Sequence, residues 1–234
     1  LLDMTSAGSV ACLIAEPIQG VGGFATPPDG FFGQMHKILS NRDILFVSDE
    51  VQTGWGRTGE HFWGYQAHGV TPDLLTFAKG VGNGAALAGV VARADVMNTI
   101  DATSFSTFGG NPLAAAAGRA TLAHVLEHDL QGNSKRMGER FRERLAPAIV
   151  DVPWIAEVRG RGLMIAIETV QAESIHPDPA KAVALADACR ARGLLVGKGG
   201  LYGNVVRIAP MLNVTEEEVD EGVDIIAAAI AEIT

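Results

Sequence analysis

The sequence predicts an α/β protein in which a mainly parallel β-sheet covered by helices is followed by a smaller α+β domain. Short continuous apolar runs alternate with longer helical patterns in the first part of the chain, which is typical of a parallel sheet buried on both faces. The pattern changes around Pro147 and Pro153, which separate the two kinds of organisation. We therefore predict a larger domain over residues 1–150 and a smaller one over residues 151–234.

The strands of the first domain are predicted from apolar runs of strand length. Four such runs cover residues 9–15, 44–47, 74–78 and 87–92. A helix or a long loop joins each run to the next, so the runs are interpreted as strands of one sheet.

The helices of the first domain are predicted from apolar spacing and from capping residues. Apolar residues recur at helical spacing over residues 30–40. Pro112 opens a long alanine-rich helix with Asn111 as its N-cap, and another helix is predicted over residues 134–145.

The smaller domain is predicted to combine short strands with two helices. The strands cover residues 155–158, 163–167, 194–196 and 205–208. One helix is predicted over residues 179–191. Thr215 is predicted to cap the other, because Glu217 and Glu218 follow it in the first turn.

The net charge bears on the class of partner, and the cysteines bear on the compartment. The formal net charge is -9, which disfavours nucleic acid or an anionic membrane as the main partner. Cys12 and Cys189 lie far apart and form no pair motif, so we expect a reduced, cytoplasmic compartment. We expect both cysteines to be buried small apolar residues. No metal site is predicted.

Charged residues follow three of the predicted strands. Glu16 ends the first run, Asp49 and Glu50 end the second, and Lys79 ends the third. Ligands bind at the carboxyl ends of strands in open α/β sheets, so these side chains are predicted to share one site.

The chemistry of Lys79 and Asp49 indicates what such a site could hold. Burial at a strand end favours the neutral amine of Lys79, which can attack an aldehyde and form a Schiff base. A buried Asp49 needs a cationic partner, and a protonated pyridine nitrogen is one. Taken singly, Lys79 could instead extend its amine to solvent and Asp49 could cap the next turn.

Five motifs in order along the chain resemble those of the class III aminotransferases, which include 4-aminobutyrate, ornithine and alanine–glyoxylate aminotransferases. They are AEPIQG at 15–20, DEVQTGWGRTG at 49–59, PDLLTFAKGVGNG at 72–84, STFGGNPLA at 106–114 and VRGRGLMI at 158–165. The resemblance runs from Val10 to the last helix. The wording of HFWGYQAHGVTPD and KGVGNG is most similar to the alanine–glyoxylate branch.

The resemblance implies pyridoxal 5'-phosphate as cofactor and assigns residues to it. Lys79 would hold the cofactor through a Schiff base and, once displaced by substrate, would transfer a proton. Asp49 would pair with the pyridinium nitrogen. Val51 would pack on one ring face, and Gln52 would hydrogen-bond the ring hydroxyl.

The resemblance also implies substrate-binding residues and a homodimer with shared active sites. Thr107 would reach the cofactor phosphate of a neighbouring subunit. Arg207 would clamp a substrate carboxylate through a bidentate pair. Glu16 would neutralise Arg207 when a substrate lacks a carboxylate at that point.

The expected activity is transfer of an amino group from an amino acid to a 2-oxo acid, such as glyoxylate or pyruvate, by a ping-pong mechanism. An aminotransferase for 4-aminobutyrate or another omega-amino acid is the alternative within the family. We also expect a longer polypeptide, because the family's phosphate-binding helix N-terminus would precede Leu1. A non-catalytic fragment that does not retain the cofactor therefore remains open. A nucleotide loop at residues 80–84 fits neither known glycine fingerprint.

Overall fold

The computed structural model describes residues 10–103 and 105–234, which form two compact units. The first comprises the described residues up to Pro17, together with Pro27–Trp55 and Trp63–His124. The second comprises Ile18–Thr26, Gly56–Phe62 and Val125–Thr234. The α/β class is confirmed, and the division into residues 1–150 and 151–234 stays a prediction.

The sheet of the first unit has the strand order β1-β2-β3-β4. Its strands are β1 (Cys12–Ala15), β2 (Leu45–Asp49), β3 (Leu74–Phe77) and β4 (Gly89–Ala92). β1 and β3 both run parallel to β2, whereas β4 runs antiparallel to β3. The predicted start of β1 at Ser9 lies outside the described residues. β4 reverses direction because only a short 3-10 helix, Lys79–Gly82, lies between it and β3, and a parallel crossover needs a longer connection.

Three helices belong mainly to the first unit. They are α1 (Phe31–Ser40), α2 (Ala94–Met97) and α3 (Pro112–Glu127). α1 begins one residue after the predicted start, because Gly30 forms its left-handed N-cap. The predicted cap of α3 is confirmed, since Asn111 Oδ1 accepts a hydrogen bond from the Ala114 N–H at 2.9 Å.

The core of the first unit lies between α1 and the sheet. It contains Phe32, Leu39, Ile44, Phe46 and Val70. The rings of Phe32 and Phe46 stack at a centroid distance of 5.4 Å. The edge strand β4 is less covered in the described residues, with Val90 53% and Val91 57% exposed. Successive strand residues point to opposite faces, so the described residues leave both faces of β4 open.

The sheet of the second unit is antiparallel, with the strand order β5-β6-β8-β7. Its strands are β5 (Ile155–Arg161), β6 (Met164–Thr169), β7 (Gly197–Gly199) and β8 (Val205–Ile208). β8 has the predicted bounds. The strand predicted over residues 194–196 is misplaced, because Leu194 and Val196 pack against the helical core and the ladder to β8 begins at Gly197.

Three helices cover one face of this second sheet. They are α4 (Leu130–Ile149), α5 (Pro179–Ala191) and α6 (Glu216–Ile233). α5 has the predicted bounds. The predicted break at Pro147 is wrong, because α4 contains this proline and ends two residues later. The capping box of α6 is confirmed, with Thr215 Oγ1 accepting from the Glu218 N–H at 3.2 Å.

Apolar side chains cover both faces of β6 in the second unit. Ile165, Ile167 and Leu185 belong to the cluster under the helices and are 0% exposed. A smaller cluster on the other face contains Ile18, Phe24, Met164, Ala166 and Val205.

The cysteine prediction is half right. Cys189 is fully buried in the helical cluster of the second unit, whereas Cys12 is exposed on the edge strand β1. Among the described residues, no helix is long and apolar enough to cross a membrane.

Candidate active site

The parallel strands of the first unit bring three predicted site residues to one edge of the sheet. Ala15 of β1 lies beside Ser48 of β2, and Asp49 lies beside Thr76 of β3. Neighbouring strands are about 4.8 Å apart, and parallel strands end at the same edge. Glu16, Asp49 and Lys79 therefore follow the ends of three adjacent strands, as the sequence predicts.

Asp49 is the last residue of β2 and is half-buried. Its Oδ1 accepts a hydrogen bond from the Val51 N–H at 3.1 Å, so Asp49 does cap the following turn. Among the described residues, its other oxygen, Oδ2, has no protein hydrogen bond. Val51 and Gln52 are half-buried in the same turn. These three residues are thus brought together, with one carboxylate oxygen left for a further partner.

Lys79 lies two residues beyond β3 and opens the 3-10 helix Lys79–Gly82. Its φ of 48° is in the left-handed region, which is uncommon outside glycine and clusters at functional sites. The predicted burial of its amine is wrong for the described residues, because the strand ends at Phe77 and the side chain beyond the edge is exposed.

Glu50 is a central residue of this edge whose role the sequence does not indicate. It is 0% exposed, although it is a carboxylate. Its Oε1 accepts from the Ser48 hydroxyl at 3.0 Å and from the Tyr65 N–H at 2.8 Å. Its Oε2 accepts from the Thr53 hydroxyl at 2.5 Å and from the Gly64 N–H at 2.8 Å. Glu50 thereby joins the end of β2, the following turn and the start of the 3-10 helix Gly64–His68.

Burial and hydrogen bonding act in opposite directions on Glu50. Burial raises the pKa of its carboxyl group above the ordinary value, and the four hydrogen bonds limit that rise. Because Glu50 stands between Asp49 and Val51 in the chain, its hydrogen bonds fix the turn that carries the predicted cofactor residues.

Glu16 and Thr107 are the other two predicted site residues of the first unit. Glu16 directly follows β1 and is half-buried. Thr107 lies in the exposed segment before α3. The partner-subunit role predicted for Thr107 stays a prediction.

Arg207 belongs to the second unit, where it lies on β8. Its Nε donates to the Lys198 carbonyl at 3.2 Å, and its Nη1 donates to the Gly20 carbonyl at 3.0 Å. The guanidinium also lies over the Phe24 ring, 5.5 Å from its centroid. An arginine has five N–H donors, so these two hydrogen bonds to described residues leave three N–H groups.

Three other motif arginines, for which the sequence indicates no chemical role, have structural partners in the second unit. Arg57 Nη1 donates to the Pro210 carbonyl at 2.5 Å, and burial lowers the pKa of Arg57 to about 10. Arg161 pairs with Glu60 at 3.2 Å. Arg159 pairs with Glu157 and Glu168. A cleft of about 430 Å³ opens beside Arg159, but none of the predicted site residues line it.

Comparisons with known proteins agree with the motif order. Residues 2–230 match the model of the family described as Aminotransferase class-III. The chain is 40% identical over 235 residues to alanine–glyoxylate aminotransferase 2, mitochondrial, of Homo sapiens, and covers 46% of that protein. It is 37% identical over 227 residues to 4-aminobutyrate aminotransferase of Mycobacterium leprae, and covers 51% of that protein. These matches include 99% and 97% of this chain.

A solved structure shows the same fold. The structure of a Bacillus anthracis aminotransferase has a TM-score of 0.91 to this chain, at 28% sequence identity. The match covers 99% of this chain and 54% of the solved one. The chain therefore spans about half the length of the proteins that it matches.

Proposed function

The chain belongs to the class-III aminotransferases, and we propose that the protein moves an amino group from an amino acid to a 2-oxo acid such as glyoxylate or pyruvate. The proposed reaction is ping-pong, with pyridoxal 5'-phosphate as cofactor. The observation that carries this proposal is the register of β2 with β3, which sets Asp49 and Lys79 at the ends of neighbouring parallel strands. The similarity to a human alanine–glyoxylate aminotransferase supports the choice of substrates.

The side chains at this edge fit pyridoxal phosphate in their chemistry. The Asp49 oxygen without a described protein hydrogen bond can pair with a protonated ring nitrogen, and the exposed amine of Lys79 can bond to an aldehyde. When bound, the cofactor supplies an electron-withdrawing ring that stabilises negative charge on the substrate carbon.

In the proposed site, each residue of the first unit has a separate task. Lys79 would hold the cofactor through its amine and, as a free amine, would take a proton from the substrate carbon. Asp49 keeps the ring nitrogen protonated through its negative charge. Val51 would pack against the ring, and Gln52 would donate a hydrogen bond to the ring hydroxyl.

Substrate recognition is assigned to Arg207 and Glu16. The three N–H groups that Arg207 does not give to carbonyls can hold a substrate carboxylate in a bidentate pair. Glu16 would neutralise Arg207 during the half-reaction in which the substrate has no carboxylate at that point. This exchange would let one site accept two substrates of different charge.

The test is to identify the residue that holds the cofactor. The protein, incubated with pyridoxal phosphate, is expected to show a visible absorption band that borohydride removes. Mass spectrometry should then find the reduced cofactor on Lys79. Lys79→Ala should show neither the band nor the adduct, whereas Lys37→Ala, at an exposed lysine of α1, should retain both. Labelling of another lysine would contradict the assignment.

Two alternative functions can be tested with the same purified protein. Preference for 4-aminobutyrate over alanine as amino donor would identify an omega-amino-acid aminotransferase, which the Mycobacterium leprae relative favours. A colourless protein that never takes up pyridoxal phosphate would identify a chain that does not retain the cofactor.

The proposed homodimer with shared active sites has its own test. If Thr107 serves the site of the partner subunit, Lys79→Ala and Thr107→Val should each have little activity alone. A mixed dimer should then have about half of the wild-type activity, because one of its two sites has both residues intact. Random re-association of equal amounts makes about half of the dimers mixed, so the mixture should recover about a quarter of the activity. Failure of mixing to restore activity, with dimers present by sedimentation, would place Thr107 in the site of its own subunit.

A further inference from the structure

A small loop of the second unit contacts the side chain of Arg207 through the Gly20 carbonyl and the Phe24 ring. Residues 19–25, called here the 19–25 loop, close on themselves through an antiparallel bridge between Gln19 and Ala25. The Gln19 N–H donates to the Ala25 carbonyl at 3.0 Å, and the Phe24 N–H donates to the Gln19 carbonyl at 2.9 Å. The loop is therefore held internally before any contact with the sheet is counted.

Three carbonyl groups of the 19–25 loop accept hydrogen bonds from other parts of the second unit. The pairs are Gly20 with Arg207 Nη1 at 3.0 Å, Val21 with the Gly200 N–H at 2.9 Å, and Gly23 with Arg159 Nε at 2.9 Å. Because the three donors lie at different positions in the chain, these hydrogen bonds restrict movement of the loop. The Gly20 carbonyl is consequently a fixed acceptor for Arg207.

Phe24 is the side chain that anchors this loop. It is 2% exposed and packs with Ile18, Met164, Ala166 and Val205. Its φ of 53° is in the left-handed region, where a bulky residue is an outlier that persists only when its surroundings enforce it. The same ring lies under the guanidinium of Arg207.

The position of Arg207 is thus fixed from two directions. The Gly20 carbonyl accepts a hydrogen bond from Nη1, and the Lys198 carbonyl accepts one from Nε. The Phe24 ring lies against the plane of the guanidinium. A planar guanidinium needs its plane fixed to bind a carboxylate bidentately, and an aromatic face provides that support.

We infer that Phe24 is a positioning residue for substrate recognition, holding the guanidinium plane of Arg207 so that its remaining N–H groups meet a substrate carboxylate. This inference rests on the proposed function. Among the members of its apolar cluster, Phe24 is the aromatic residue, and its ring lies against the guanidinium of Arg207.

The first test compares Phe24→Leu with Met164→Leu in the holoenzyme. Both substitutions keep an apolar side chain in the same cluster, but only the first removes the ring under Arg207. For substrates with a carboxylate, Phe24→Leu should raise KM roughly two- to five-fold, the equivalent of one cation–π contact, with little change in kcat. For a primary amine without a carboxylate, KM should not change. Met164→Leu should leave both KM values near those of the wild type.

A second measurement needs no aminotransferase activity. Phenylglyoxal modifies exposed guanidinium groups, and mass spectrometry can follow the rate at Arg207. Pyruvate should slow this modification in the wild type and in Met164→Leu, and should slow it less in Phe24→Leu. A wild type without transamination would overturn the proposed function, whereas equal protection in all three proteins would overturn the role of Phe24. Equal KM changes for both substrate types, or the same change in Met164→Leu, would also overturn it.

Discussion

The two sheets differ in how completely their apolar side chains are covered. In β6 of the second unit, Met164, Ile165 and Ile167 are at most 1% exposed. In the edge strands β1 and β4 of the first unit, Ile14, Val90 and Val91 are at least 53% exposed. Apolar burial therefore contributes more at the inner strand β6 than at the edge strands β1 and β4.

Polar contacts take a larger part in the first unit. Glu50 collects four hydrogen bonds there, and they hold the turn between Asp49 and Gln52. The residues predicted to bind the cofactor and the residue predicted to bind the substrate are therefore held in place by different kinds of interaction. The turn with the cofactor residues depends on one buried carboxylate, whereas Arg207 stands on a sheet with an apolar core on both faces.

The largest effect is expected at the centre of the second core. Ile167→Ala should lower the free energy of unfolding by about 2–5 kcal/mol, because it removes a fully buried side chain and leaves a cavity. Urea denaturation, with hydrogen exchange of β6 to locate the loss, measures it. A loss below about 1 kcal/mol would remove the contrast between the two sheets.

The next effect is expected at Glu50. In Glu50→Gln, each side-chain position faces a backbone N–H, from Tyr65 or from Gly64, so the new NH₂ group meets a donor in either orientation. The expected loss is about 1–3 kcal/mol. Hydrogen exchange should show faster opening at residues 50–53. Glu60→Gln, at an exposed carboxylate, is the matched control and should change little.

The same variant tests a pH dependence. Since burial raises the pKa of Glu50, the folded protein binds its proton at higher pH than the unfolded chain does. The contribution of Glu50 to the free energy of unfolding should therefore fall as pH rises from about 4.3, the value for an unfolded glutamate, to the raised value. Urea unfolding across this interval should show that fall in the wild type and not in Glu50→Gln. Parallel pH profiles would contradict it.

Removing one helix N-cap in each unit tests the same difference between the two units. Thr215→Ala should cost about 1 kcal/mol, because α6 loses the acceptor for the Glu218 N–H. α6 packs into the second core, so this loss should appear in global unfolding. Asn111→Ala removes the corresponding cap of α3, whose first turns are largely exposed, and should appear mainly as faster local exchange.

The smallest effect is expected on the edge of the first sheet. Ile14 is 59% exposed, so Ile14→Ala should change the free energy of unfolding by no more than about 0.5 kcal/mol. Chemical denaturation beside Ile167→Ala provides the measurement. A loss as large as that of Ile167→Ala would mean that Ile14 is covered in solution, and the comparison would fail.

Local signals in the sequence predict part of this structure closely. α5 and β8 have their predicted bounds, because Pro179 marks a helix start and Val205–Ile208 is a short apolar run. The proximity of Asp49 and Lys79 follows from a general property of parallel strands. The resemblance to the family assigns their roles, and those roles remain predictions.

Other features depend on contacts that no local pattern contains. Glu50 receives backbone donors 14 and 15 residues further along the chain, and Arg207 donates to Gly20 across 187 positions. β7 consists of Gly197–Gly199, which has no apolar side chain to indicate a strand. The exposure of Lys79 likewise depends on where β3 ends, and the sequence predicts that end one residue late.

The second unit is threaded from three separate stretches of chain, Ile18–Thr26, Gly56–Phe62 and Val125–Thr234. A gene truncated to begin at Val125 would encode all four strands of its sheet and the three helices that cover it. It would lack the phenylalanine that fills the smaller apolar cluster and the carbonyl that orients Arg207. Supplying residues 18–26 as a separate peptide would then measure, as a binding affinity, how strongly that short stretch holds the rest together.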